Sequence, residues 1–241
     1  MEFLTDLSWI SIGQIILIDL LLGGDNAIVI ALACRNLPDS LRFRGILWGT
    51  VGAIGARILL LTFANTVLQL SFVKLVGGVL LYWIAIKLLA ETDDDHEGVH
   101  ASDRLLTAIK TIVVADIVMS IDNVIAVAGV AQHAGGDNQL ILMIFGILVS
   151  VPIIVWGSTF VLRLINKFPF IVIAGSAMLG YIACAMAFAD TVVLNLVKSQ
   201  FAYLDATIFL LNVKLSVPGV IGALSIITFA TFNWHQGKGN Q

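Results

Sequence analysis

The apolar positions of this chain fall in long continuous blocks, with neither the alternation of a half-buried strand nor the single stripe of a surface helix. Seven stretches, at about 9–33, 45–65, 73–90, 108–132, 140–162, 170–189 and 217–233, each approach the roughly 20 apolar residues that a helix needs to cross a bilayer. The stretch 191–216 is mixed, with Lys198, Asp205 and Lys214, and reads as an external loop with an interfacial helix. A second reading has the last helix starting earlier and breaking near Pro218. The first stretch has no basic segment ahead of it and is too long for the apolar part of a signal peptide, so it is expected to be retained. The pattern predicts an all-α polytopic protein with seven transmembrane helices.

Composition agrees. Of 241 residues, 59% are hydrophobic and 12% charged. Soluble domains carry about 25% charged residues, which excludes a water-soluble enzyme, and this much apolar surface excludes disorder. A net charge of -3 leaves no electrostatic footprint for nucleic acid. Cys34 and Cys184 are far apart in apolar stretches and suggest no disulfide framework. With the N-terminus outside, Arg35, Arg42, Arg44, Lys87, Arg104, Lys110, Arg163, Lys167 and Lys238 fall on the internal side, against Lys74, Lys198 and Lys214 outside. This bias places the C-terminus in the cytoplasm, and Trp9, Trp48 and Trp234 sit near span ends as interfacial aromatics do.

Set against itself at an offset of 97 residues, the chain repeats. Asp19, Asp25, Asn26, Ile28 and Ala31 fall on Asp116, Asp122, Asn123, Ile125 and Ala128, and Gly49, Thr62, Phe63 and Gly78 on Gly146, Thr159, Phe160 and Gly175. The chain thus reads as a single transmembrane domain over 1–241: repeat one at about 9–90, an acidic cytoplasmic loop at 91–103, repeat two at about 106–189, and an external loop with the last helix over 190–241. Three spans per repeat force the second copy upside down relative to the first. Inverted repeats of this kind are a transporter signature, with the substrate site near the midplane at the repeat interface.

Each copy carries two aspartates and an asparagine inside a span: Asp19, Asp25 and Asn26, then Asp116, Asp122 and Asn123. An ionised Asp at a helix centre costs about 2.5–3.5 kcal/mol on insertion, so four need partners, protons or a bound cation. At 100° per residue Asp19 and Asn26 lie within about 20° of each other, and Asp116, Met119 and Asn123 repeat that face. Gly23 and Gly24 could unwind the turn ahead of Asp25 and bring its carboxylate onto the same side. Carboxylates, amide oxygens and freed carbonyls make a hard oxygen site suited to Mg²⁺, Ca²⁺ or Mn²⁺, and no thiolate or imidazole lies on these faces for zinc or copper. Met119 reads as packing rather than as a soft ligand. Asp19 and Asp116 can also be read as helix-packing hydrogen bonders.

Arg57 lies deep in the second span, where it is expected to serve as a counter-charge to the aspartates when no cation is bound; a snorkelling Arg is the alternative. Gly45, Gly49, Gly52, Ala53 and Ala56 stripe the same span and predict close helix packing. Pro152 predicts a kink in the fifth span that frees a carbonyl. The loop 91–103, with Asp93, Asp94, Asp95, His96, Glu97, His100 and Asp103, reads as a solvated acidic linker; a role in gathering cations is the sharper alternative.

At GGDNAIVIALACRNLP (23–38) and ADIVMSIDNVIAVAGVA (115–131) the chain resembles the TerC family of integral membrane proteins, in its YjbE-type branch. The resemblance runs from the first span to the last. It implies export of manganese from the bacterial cytoplasm across the inner membrane, with Mn²⁺ as transported substrate and no organic cofactor. It assigns the motif roles to Asp25, Asn26, Asp122 and Asn123 and the upstream acids to Asp19 and Asp116. The residues alone specify a hard divalent cation. Kinship with exporters of lysine and other cations leaves a rival substrate class, amino acids or small organic cations. An intramembrane enzyme with a carboxylate dyad and a passive cation channel are further rivals.

No P-loop or nucleotide-binding segment appears, so the chain reads as a transporter rather than an enzyme, driven by a partner, the membrane potential or a counter-ion. Protons are a natural counter-ion, because a carboxylate left without its cation in a low dielectric holds a proton more readily. The expected partners are the divalent ion, that counter-ion and the lipid bilayer, with no nucleic acid; a homo-oligomer is compatible with the sequence. Alternating access is expected from rocking of one repeat against the other.

Overall fold

Helix boundaries follow from capping and proline chemistry as much as from hydropathy. The computed structural model describes residue 17 and residues 24–63, 70–90, 100–133, 139–200, 207–210 and 213–239. Over these run α1 (Gly24–Cys34), α2 (Asp39–Thr62), α3 (Val73–Ala90), α4 (Ala101–His133), α5 (Gln139–Lys167), α6 (Phe170–Phe188), α7 (Thr191–Gln200), a hairpin of β1 (Thr207–Leu210) and β2 (Val213–Ser216), and α8 (Val217–Gly239).

The turn 35–38 joins α1 to α2. Arg42 ties it down, pairing with Asp39 in the first turn of α2 and donating to the Arg35 carbonyl at 3.1 Å. Phe72, at φ 66°, sits in the left-handed region immediately before α3. The α5 helix continues through Pro152 and stops two residues before Pro169, as the restriction on pre-proline residues favours. Pro218 occupies the first turn of α8, where its missing N–H is no loss.

The expected span 73–90 coincides with α3, and the sixth ends within one residue of α6. Others are longer than hydropathy predicts: α2 begins at Asp39, α4 at Ala101, α5 runs to Lys167 and α8 to Gly239. Their added turns hold charged residues such as Arg42, Arg44, Asp103 and Arg163, which a hydropathy window reads as loop although the helix continues into the polar interface. Residues 101–103, expected in the acidic loop, form the first turn of α4; residues 91–99 lie outside the described residues, as does the first expected span apart from Leu17 and 24–33. The stretch 191–216 is corrected in one respect: after the helix α7 comes an antiparallel hairpin with register Thr207↔Ser216 and Leu210↔Val213. Since β2 ends at Ser216 and α8 begins at Val217, Pro218 falls in the first turn of the last helix and does not break a longer one.

Four helical segments among the described residues, Asp39–Leu60, Val73–Ala90, Leu148–Lys167 and Phe170–Phe188, are long and apolar enough to cross a membrane; Gly24–Cys34 and Val217–Phe232 are shorter apolar helices. Polarity is distributed inside out. Trp156, Phe170, Val76 and Leu59 are exposed, while Arg57, Asp116, Asn26, Ser120 and Ser158 are buried. A water-soluble fold does the reverse. The chain is a polytopic, almost wholly α-helical membrane protein.

The helices pack in two compact units, residues 1–67 with 98–166, and residues 68–97 with 167–241. Each unit draws on both repeats. In the first, α2 packs along α4 with α1 against both. The small-residue stripe of α2 makes this contact: a Cβ added to Gly49 would lie 2.5 Å from Ile112 Cδ1, and one added to Gly52 2.7 Å from Val113 Cγ2. In the second, α6 is flanked by α3 and α8. A Cβ on Gly78 would meet the Ala183 carbonyl at 2.5 Å, and Gly180 abuts the backbone of Gly222. The Tyr82 hydroxyl meets Ser225 Oγ at 2.7 Å across the same unit.

Candidate functional site

The expected site residues that the structure describes lie in the first unit. The α1 helix opens at Gly24, so Asp25 falls in its first turn, where a carboxylate is favoured by unpaired N–H groups. Asp25 is half-buried, and its Oδ1 accepts the Asn26 N–H at 2.9 Å. Asn26, one residue on, points into the packing: it is 4% exposed, and among the described residues neither Oδ1 nor Nδ2 has a hydrogen-bond partner. A buried amide left unmade costs about 1–3 kcal/mol, so this group is open to a further partner.

Facing it from α4 is Asp116. A cavity of about 170 Å³, open mouth included, is lined by Asn26, Val29 and Ile30 of α1 and by Ile112 and Asp116 of α4. Its enclosed part has room for a body the size of one water. Ile112 and Asp116 are one helical turn apart and so share a face, which puts an apolar wall beside the carboxylate.

Asp116 is held by a cation. Arg57 of α2 places Nη2 2.6 Å from Asp116 Oδ1, with both side chains more than nine-tenths buried. Arg57 Nε also donates to Ser120 Oγ at 3.0 Å, and the Ser120 hydroxyl donates to Asp116 Oδ2 at 3.2 Å. Arg57 is therefore not a snorkelling residue here: its head group is turned into the packing, not out of it. A buried pair gains little net stability, but loss of one member leaves an uncompensated charge.

The structure thus brings Asn26, Asp116 and Arg57 to one place, with Asp25 beside them on α1. Asp19 lies outside the described residues; Asp122 and Asn123 lie on α4, but their side chains are outside what is described. Among the described residues no three His, Cys, Asp or Glu side chains come together. Met119 is buried, as packing requires. Two polar residues escaped the sequence reading. Ser120 was legible as the residue four after Asp116, on the same helical face. Asp190, 4% exposed, accepts the Val192 N–H at 3.0 Å and the Leu75 N–H at 3.4 Å, capping α7 and tying it to α3; an acid directly before a helical run is its signal.

Comparison with known proteins agrees with the membrane reading. Residues 4–232 match the family described as Integral membrane protein TerC family. The chain is 41% identical over 204 residues to the uncharacterized membrane protein YjbE of Bacillus subtilis, covering 85% of this chain and 90% of that one. It is 25% identical over 229 residues to the inner membrane protein YgdQ of Escherichia coli K12, covering 80% and 94%. The inner membrane protein YoaE of the same strain is 28% identical over 193 residues, 72% of this chain but 36% of that longer one. No solved structure matches the chain.

Proposed function

We propose that this chain, which belongs to the TerC family of integral membrane proteins, exports manganese(II) from the bacterial cytoplasm across the inner membrane. The observation that carries the reading is the buried, unpartnered amide of Asn26 sharing a small cavity with the carboxylate of Asp116. An amide oxygen and a carboxylate are hard donors, and a cavity this small suits a bare or partly hydrated ion rather than an amino acid. The choice of manganese among hard divalent cations comes from the family resemblance.

In this proposal seven spans, two inverted three-helix repeats and the last helix form the transporter, N-terminus outside and C-terminus in the cytoplasm. Asp25 and Asn26 of one repeat and Asp122 and Asn123 of the other bind the ion, with Asp19 and Asp116 behind them. Arg57 neutralises Asp116 in the empty site and yields to the entering cation. Because α2 of repeat one packs on α4 of repeat two, and α3 on α6, the bodies that move cut across the repeats instead of coinciding with them. Protons returning on the vacated carboxylates supply the counter-ion.

The test is Mn²⁺ uptake into inside-out membrane vesicles containing the protein. The expected result is saturable uptake that Mg²⁺ or Ca²⁺ competes for, that lysine does not, and that an imposed pH gradient changes. Uptake blocked by lysine and indifferent to other divalent ions moves the reading to organic cations. Flux without saturation or counter-ion dependence makes the protein a channel.

A further inference from the structure

Ser120 is none of the groups the ion-binding reading uses, yet it is wholly buried and engaged by both members of the charged pair. A hydroxyl inside a helix ordinarily returns to the carbonyl of the preceding turn. Thr50, Ser158 and Thr159 do this, donating to Ile46, Ile154 and Val155 at 2.7, 2.7 and 2.9 Å. Ser120 turns instead to the side chain at the same spacing, the Asp116 carboxylate, and accepts the Arg57 Nε–H with its lone pair. Arg57 Nη2 holds the other oxygen of that carboxylate. The three side chains close a ring that occupies both oxygens of Asp116.

The repeat gives an independent argument. At the offset that superposes the two Asp–Asn motifs, Ser120 falls on Gly23 and Arg57 on Ile154. Arg57 belongs to repeat one and Ser120 to repeat two, and each is replaced at the equivalent position of the other repeat by a residue whose side chain cannot hydrogen-bond. They behave as a matched pair serving a single aspartate.

We infer that Ser120 is a positioning residue that holds Arg57 on Asp116 in the ion-free state and so sets how readily a divalent cation displaces it. This rests on the reading of Asp116 as part of the cation site. An entering ion breaks both bonds to the carboxylate, while the Nε–Oγ bond keeps the guanidinium at hand to return when the ion leaves. Without the hydroxyl the ion-free state loses two hydrogen bonds to charged groups and the anchor that aims Nη2 at Asp116, while the ion-bound state loses only the Nε–Oγ bond. The cation then binds more tightly and leaves more slowly.

The experiment uses the full chain in proteoliposomes, with manganese(II) chloride as probe. Ser120→Ala is expected to lower KM by about tenfold, the factor one hydrogen bond to a charged group is worth, and to lower kcat with it. Ser120→Thr retains the hydroxyl and restores both values toward native. In an Arg57→Met background, Ser120→Ala lowers KM by clearly less than in the native chain, because the part of its effect that runs through the guanidinium is already gone and only its own bond to Asp116 remains. Ser120→Cys, similar in shape with a weaker donor, shifts KM the same way and carries the test if the alanine variant does not fold. An unchanged KM in Ser120→Ala, or the same shift with Arg57 already removed, overturns the inference while native transport leaves the cation reading standing. A native protein that moves no Mn²⁺ removes both.

Discussion

Arg57→Ala opens the buried ion pair from one side, and its consequence can be sized. The Arg57 and Asp116 side chains are 6% and 8% exposed. Removing one member of such a pair costs about 3–5 kcal/mol, because the remaining charge stays buried without compensation. Domains are stable by roughly 5–15 kcal/mol, so the ion-free variant loses a large share of its margin. Arg57→Leu combined with Asp116→Leu removes both charges and fills the space with apolar atoms, a replacement that is often neutral or stabilising. The double variant is therefore expected to regain near-native stability while losing transport. Mn²⁺ supplies the missing charge in the single variant; at a hundred times Kd, binding alone adds about 2.7 kcal/mol. The assay is denaturant unfolding of purified protein in detergent micelles, with and without Mn²⁺. Native stability in Arg57→Ala, or a double variant no more stable than the single one, would refute the reasoning.

Two further outcomes follow. Asn26→Leu replaces an unpartnered amide with apolar volume, so ion-free stability is expected to hold or rise by about 1 kcal/mol while stabilisation by Mn²⁺ disappears in the same unfolding assay. Gly78→Val drives a side chain into the Ala183 carbonyl and Ala187, overpacking the α3–α6 seam by about 1–3 kcal/mol or more, and should be seen as loss of monodisperse protein on size exclusion.

Hydropathy located α3 and α6 almost to the residue because their ends coincide with the ends of apolar runs. It placed the starts of α2 and α4 too late because caps and charged first turns are helical without being apolar. The pairing of 207–210 with 213–216 was invisible to it, since two four-residue strands look like any other short stretch of a mixed segment. At the site, the cost of deep charge marked Arg57 and Asp116 individually, but their pairing depends on α2 lying along α4. The small-residue stripe of α2 held that information: Gly49 and Gly52 are where α4 comes close. Ser120 carried a positional signal, four residues after Asp116, but its residue type argued against using it, because a helical serine usually satisfies itself on its own backbone. The division into two units was hidden more deeply, because self-comparison finds which segments are alike and says nothing about which of them pack together.

The central claim is that paired Asp–Asn motifs bind the exported ion, and Mn²⁺ accumulation in inside-out vesicles tests it most directly when native protein is compared with Asp25→Asn and Asp122→Asn. Accumulation by the native protein that is lost in both variants, at equal levels of folded protein, is the predicted result. Accumulation that survives both substitutions would contradict the site while leaving a transporter in place.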